Sequence, residues 1–239
     1  GGSSGGAAVS LATGEVWLSH GSDLAGSCRT PAAFCGVVGM RPSPGIAGPG
    51  PAGNGFHLEA VQGPMARSVR DCALFLDAMA GFNPDWAISF PPPQTSSYQQ
   101  AVAEADPHVR IAFTPDLGGF APCAPEVETH LRRALGQVER AGAMISEDCP
   151  NVTGLDHAYR TARALLWANG AGALPETVQA QFKASLRQNI PQGRELSLPV
   201  GLQLIGPPRG EARLLQVARA VEMAMGGPLG PIDPVVTHG

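Results

Sequence analysis

One lysine, Lys183, is all that the 239 residues hold, which matters for any mechanism resting on an amine base. Aromatic residues are also few, at 5%, and the net charge is −4 with no basic run. Stacking platforms and phosphate contacts therefore have no evident source, and no direct nucleic-acid partner is expected. The five cysteines, Cys28, Cys35, Cys72, Cys123 and Cys149, are odd in number and contain no C-x-x-C pair. That spacing argues against a disulfide framework or a zinc site and points to a reducing, cytoplasmic setting. No apolar run is long enough to span a bilayer, so no membrane partner is expected. No secretory leader is visible, and the chain opens without Met.

What is present is glycine, concentrated around serine. Residues 1–6 read GGSSGG and residues 21–27 read GSDLAGS. Glycine admits backbone angles closed to other residues and lets a ligand approach the main chain. Each serine run sits where a loop passes into regular structure, leaving N–H groups free to face an anionic atom. Two such loops brought together would place a hydroxyl beside a nest of donors, which is the geometry of acyl transfer.

The remaining chain reads as one domain over residues 1–239, with a core motif at 1–81 and a C-terminal part at 108–239; 44% of residues are apolar and 15% charged. GAAVSLA predicts a helix ended by Gly14, EVWLSH a buried strand, a short helix carries Pro31, and VVGM predicts a strand. Residues 43–55, rich in glycine and proline, and residues 82–107 read as loops. Ser68 is placed to cap a helix with Val69, Cys72, Ala73, Leu76 and Met79 on its apolar face. A β–α–β unit follows, made of VRIAFTPD, a helix with Pro125 at its first position, and AMISED; parallel pairing is expected. Helical sequence fills about 155–189, LPVGLQLIG at 198–206 predicts a central buried strand, and an amphipathic helix carries Leu214, Leu215, Val217, Ala218 and Val221.

GGSSGG, then GSDLAGSCR-PAAFCGVVGMRP, then GPMARSVRDCALFLDAMAG together resemble the amidase signature family of serine hydrolases. The middle block is similar to the family pattern GSDxGGSxRxPAxxCGxxGxKP at nearly every fixed position. The resemblance implies a three-layer α/β/α fold around a mixed β-sheet, here lacking an N-terminal and an internal portion. It also implies a Ser–cis-Ser–Lys triad. Carried over residue by residue, the nucleophile is Ser27 and the bridging serine is Ser3, held through a cis peptide after Gly2. The oxyanion hole falls on the N–H groups of Leu24, Ala25, Gly26 and Ser27, with alanine at position 25 where the family has glycine. Ser4, Asp23 and Arg29 are supporting residues, Asp23 and Arg29 bracing the loop by an ion pair.

The family's lysine lies upstream of GGSSGG, and no residue here matches it. Lys183 stands in polar helical sequence, QAQFKASLRQN, and reads as a surface residue. The implied activity is hydrolysis of a carboxylic amide to acid plus ammonia or amine through an acyl-enzyme on Ser27. Its partner would be a small-molecule amide, with no metal or cofactor, in a monomer or homodimer. Three alternatives remain: the glutaminase (A-type) subunit of a tRNA-dependent amidotransferase, a carbamate or ester hydrolase, and a non-catalytic remnant without the triad lysine. A Ser–His–Asp arrangement using His20 or His57 has no ordered pattern behind it.

Overall fold

The computed structural model describes residues 2–48, 58–91, 95–162, 176–177 and 200–231. The chain groups into two compact units, one of residues 1–111, 123–146 and 198–239, the other of residues 112–122 and 147–197. Both serine loops belong to the first.

That unit is organised around strand β3 (Val61–Ala66), which lies between β1 (Leu18–Asp23) and β2 (Val38–Gly39) in an antiparallel sheet. Its register on β1 runs from Leu18 opposite Ala66 to Asp23 opposite Val61. Successive side chains of a strand face opposite sides, and β3 buries both. Met65 packs with Ala8, Leu11, Cys28 and Ala32 from helices α1 (Gly5–Ala12) and α2 (Arg29–Cys35). Ala66 packs with Val69, Cys72, Leu76, Tyr98 and Leu215. These last come from helices α3 (Val69–Met79), α4 (Tyr98–Ala103) and α6 (Glu211–Ala224). Helices on both faces of a sheet make the expected three layers. Ser68 caps α3 as expected, its hydroxyl accepting the Asp71 N–H at 3.0 Å.

A second sheet pairs β4 (Arg110–Phe113) with β5 (Met144–Glu147), joined through helix α5 (Pro125–Arg140). The Met144 N–H donates to the Val109 carbonyl at 2.8 Å and the Asp148 N–H to the Phe113 carbonyl at 3.1 Å. Both numbers advance together, so the pair is parallel, as expected. Proline opens α5 at its first position, and Leu135 and Val138 on its apolar stripe are buried. In the second unit, the Leu117 N–H donates to Thr114 Oγ1 at 3.0 Å, and residues 155–162 are helical.

Several expectations need correction. The strand expected over EVWLSH begins only at Leu18 and continues through Gly21–Asp23; Trp17 is 82% exposed and lies beneath the Arg67 guanidinium. Strand β3 is not among the elements expected from the sequence, and it carries two residue types that ordinarily break strands, Gly63 and Pro64. Here glycine is required instead: a Cβ on Gly63 would stand 2.1 Å from the Met40 carbonyl oxygen. The loop expected over 82–107 contains α4, whose first amides, Tyr98 and Gln99, donate to the Asp77 carboxylate on α3. In the loop expected from residue 43, Ile46 and Ala47 are buried, and residues 49–57 lie outside the described ones. Residues 200–206 form no strand, since no main-chain hydrogen bond joins them to a neighbouring segment among the described residues; Leu202 and Leu204 face the core while Ile205 is 74% exposed. Residues 163–175 and 178–189 of the helical stretch, with Lys183, and His57 lie outside the described residues. Among the described residues no helix is long and apolar enough to cross a membrane, and no cluster of three or more His, Cys, Asp or Glu is placed to hold a metal.

Candidate active site

Strand β1 ends at Asp23, and the four residues that follow, Leu24–Ser27, form the turn into α2. Asp23 organises this turn from inside. It is fully buried, and each of its oxygens accepts from one amide of the turn and one nitrogen of Arg29. Oδ1 takes the Gly26 N–H at 2.7 Å and Arg29 Nη2 at 3.0 Å. Oδ2 takes the Cys28 N–H at 3.2 Å and Arg29 Nε at 2.9 Å. Burial alone would raise the pKa of this carboxyl, but the Arg29 fork and the two amides outweigh it and hold it at about 2. Asp23 is therefore an anion clamping the residues either side of Ser27.

Gly26 has φ +103°, and a Cβ there would also meet Thr30 Oγ1 at 2.8 Å. The turn thus needs glycine at 26. Ala25, where the family pattern has glycine, is exposed and takes no left-handed angle, so its methyl group is accommodated. Behind the turn, Cys28 is buried, and burial with the nearby Asp23 charge pushes its thiol up to about 12. It is a packing residue, and a Cβ on Gly21 would stand 2.8 Å from its sulfur.

The first serine loop lies against this turn. The peptide between Gly2 and Ser3 is cis. The Ser4 N–H donates to the Ser27 carbonyl at 3.2 Å. The Ser4 hydroxyl donates to the Ser22 carbonyl at 3.3 Å and accepts the Ser22 N–H at 3.2 Å. Ser4 thus docks its loop on β1 much as a neighbouring strand would, and its hydroxyl leaves the start of α1 without a side-chain cap. At the other end of α1, Arg67 Nη1 donates to the Leu11 and Val16 carbonyls at 2.9 and 2.8 Å. Ser3 is exposed and Ser27 half-buried; among the described residues no hydrogen bond joins their two hydroxyls.

The Gly26 N–H, expected in the oxyanion hole, is taken up by Asp23. No hydrogen bond takes up the Leu24, Ala25 or Ser27 amide among the described residues. Arg41 was not among the expected site residues. Its Nη1 donates to the Asp23 carbonyl and lies 3.6 Å from Asp23 Oδ1. Its signal was in the sequence, since Arg41 occupies the cationic position of the G-x-K-P ending. Arg29 Nη1 reaches Gln203 Oε1 at 3.3 Å, which brings residues 200–206 to the same site. His20 is exposed and no hydrogen bond ties it to Asp23 among the described residues, so no Ser–His–Asp relay forms through His20. A cavity of about 920 Å³ lies elsewhere, lined by Arg70, Gln99, Val102, Arg219 and Met223 among others, and includes no residue of the serine loops.

The model of the family described as Amidase matches residues 1–175. Over 150 residues the chain is 41% identical to the acylamidase of Rhodococcus erythropolis, covering 63% of this chain and 31% of that protein. Over 148 residues it is 40% identical to a glutamyl-tRNA(Gln) amidotransferase subunit of Moorella thermoacetica, covering 62% of this chain and 30% of that protein. The chain spans about 30% of the length of such relatives. Among solved structures, the native peptide amidase of Stenotrophomonas maltophilia matches with a TM-score of 0.63 at 21% identity, over 97% of this chain and 67% of that one. That likeness concerns the fold alone. From the match over residues 1–175 and the order of its motifs, the chain belongs to the Amidase family.

Proposed function

We propose that this chain carries the nucleophile of a serine-type amidohydrolase that converts a carboxylic amide to an acid plus ammonia or an amine. The observation that carries the reading is the turn after β1, where buried Asp23 holds the amides of Gly26 and Cys28 on either side of Ser27. Ser27 Oγ attacks the carbonyl carbon, and its proton leaves through the Ser3 hydroxyl to a base outside these two serines. A serine hydroxyl is a weak nucleophile at neutral pH and needs such a relay. The oxyanion that forms is met by the N–H groups of Leu24, Ala25 and Ser27, each such donor contributing about 3 kcal/mol at comparable sites. Collapse of this intermediate breaks the C–N bond as the amine takes up a proton, leaving Ser27 acylated. Water then releases the acid and restores the serine.

The test is hydrolysis by the intact natural polypeptide of a panel containing glutamine, acyl anilides, peptide amides, carbamates and esters. Ser27→Ala is expected to abolish turnover and Ser3→Ala to lower kcat by at least ~100-fold. Undiminished turnover in Ser27→Ala contradicts the reading. The compound turned over fastest identifies the leaving group, and preference for glutamine moves the assignment to the glutaminase alternative.

A further inference from the structure

Arg41 lies outside both serine loops and yet touches the residue that organises one of them. Its backbone is gripped on both sides. Before it, the Met40 N–H donates to the carbonyl of Pro64 on the middle strand at 3.1 Å. After it, the Ser43 N–H donates to Glu211 Oε1 at 2.8 Å, and the Ser43 hydroxyl accepts the Arg209 N–H at 2.9 Å. Glu211 is only 4% exposed, so its half of this clamp is buried at the start of α6, while the Arg209 half lies at the surface.

The clamped guanidinium is not needed to neutralise Asp23. Arg29 already grips both carboxylate oxygens. What Arg41 adds is a hydrogen bond to the main-chain carbonyl of Asp23. That carbonyl belongs to the same planar unit as the Leu24 N–H. In a trans peptide the two groups point in opposite directions, so fixing one fixes the other. A cation on the oxygen also draws electron density from the amide and makes its N–H a stronger donor.

We propose that Arg41 is a positioning residue for the oxyanion hole: it orients and polarises the Asp23–Leu24 peptide so that the Leu24 N–H faces the oxygen on which charge develops. This rests on the amidohydrolase reading above. The residue acts through a peptide group and does not itself touch substrate. Because the oxyanion exists only after attack, loss of Arg41 slows turnover while leaving ground-state binding in place.

The experiment compares the intact enzyme with Arg41→Met, Arg41→Lys, Glu211→Ala and Ser27→Ala on the best amide of the panel, together with hydrogen exchange across residues 23–28. Arg41→Met is expected to lower kcat by ~10- to 100-fold with KM changed less than about threefold. Arg41→Lys, which keeps the charge, should recover at least part of that loss. Glu211→Ala, which loosens the clamp, should lower kcat in the same direction by a smaller factor. Exchange across residues 23–28 should rise in Arg41→Met. An Arg41→Met enzyme with wild-type kcat, beside an inactive Ser27→Ala, overturns the proposal and leaves the amidohydrolase reading standing. Equal impairment of Arg41→Lys and Arg41→Met, with KM raised as much as kcat falls, also overturns it. If the wild type turns over nothing in the panel, the amidohydrolase reading fails, and unchanged exchange in Arg41→Met then overturns the positioning role separately.

Discussion

Replacing Asp23 by Asn tests whether one buried carboxylate holds the turn that presents Ser27. The side chain keeps its shape and one acceptor oxygen but loses its charge, leaving Arg29 and Arg41 without their anion. The carboxyl stands at about 2 in the folded protein, against roughly 3.9 for an ordinary aspartate. By linkage that difference corresponds to about 2.5 kcal/mol of stability. Because the folded pKa is the lower one, the contribution is complete above the unfolded value and is lost as pH falls through the folded value. At pH 3 about half remains, so the gap between wild type and Asp23→Asn should narrow by about 1 kcal/mol between pH 7 and pH 3. The two arginine side chains are 32% and 24% exposed, so water takes over some of their solvation and keeps the loss below the 3 to 5 kcal/mol typical of a broken, fully buried pair. Urea unfolding at the two pH values, followed through the fluorescence of buried Trp86, measures both gaps. A gap under about 0.5 kcal/mol at pH 7, or one that does not change with pH, refutes the reasoning.

Three further predictions concern packing, the first and last of them behind Ser27. Gly39→Ala would place a Cβ 2.4 Å from the Cys28 carbonyl oxygen and 2.7 Å from Ala32 Cβ, so it should destabilise by about 1 to 3 kcal/mol in urea unfolding. Gly136→Ala in α5, where the nearest atom is the tip of Arg140 at 3.6 Å, should instead stabilise by about 0.5 to 1 kcal/mol; a neutral Gly39→Ala contradicts the packing described. The Cys28 thiol, raised to about 12 by burial and the Asp23 charge, should resist iodoacetamide at pH 8 in the folded protein while half-exposed Cys123 and Cys149 react. Native modification of Cys28, mapped by mass spectrometry, would contradict its placement.

The local signals in the sequence and the contacts that settled the rest differ in kind. Helices α1, α3, α5 and α6 were legible because a cap, an opening proline or an apolar stripe is written within one or two turns: Ser68 before Val69, Pro125 at the head of α5, Leu135 and Val138 one turn apart. Strand β3 was hidden because its most informative residues look like breakers. Gly63 is there to admit the Met40 carbonyl. Pro64, though it has no N–H to give, still offers its carbonyl to the Met40 amide. Helix α4 escaped although Ser97 caps it locally, accepting the Gln100 N–H at 3.0 Å: it is only 6 residues long, and the carboxylate that holds its first amides comes from Asp77, some twenty residues earlier. Residues 200–206 misled in the other direction: an apolar run becomes a strand only beside a partner, and a run of letters cannot say whether one is there. At the site, the motif picked out Asp23, Arg29 and Ser27, since they fall at fixed spacings. The spacing could not reveal that Asp23 uses up the Gly26 amide, nor that Arg41 reaches back across the sheet to the Asp23 carbonyl.

The central claim is that the turn built on Asp23 makes the Ser27 hydroxyl a nucleophile, and covalent trapping tests it most directly. The intact natural polypeptide is treated with a fluorophosphonate and the adduct is mapped by peptide mass spectrometry. The account predicts a single adduct on Ser27, slowed strongly by Ser3→Ala and absent after denaturation. A folded protein that takes up no probe, or takes it up on another serine, contradicts the claim.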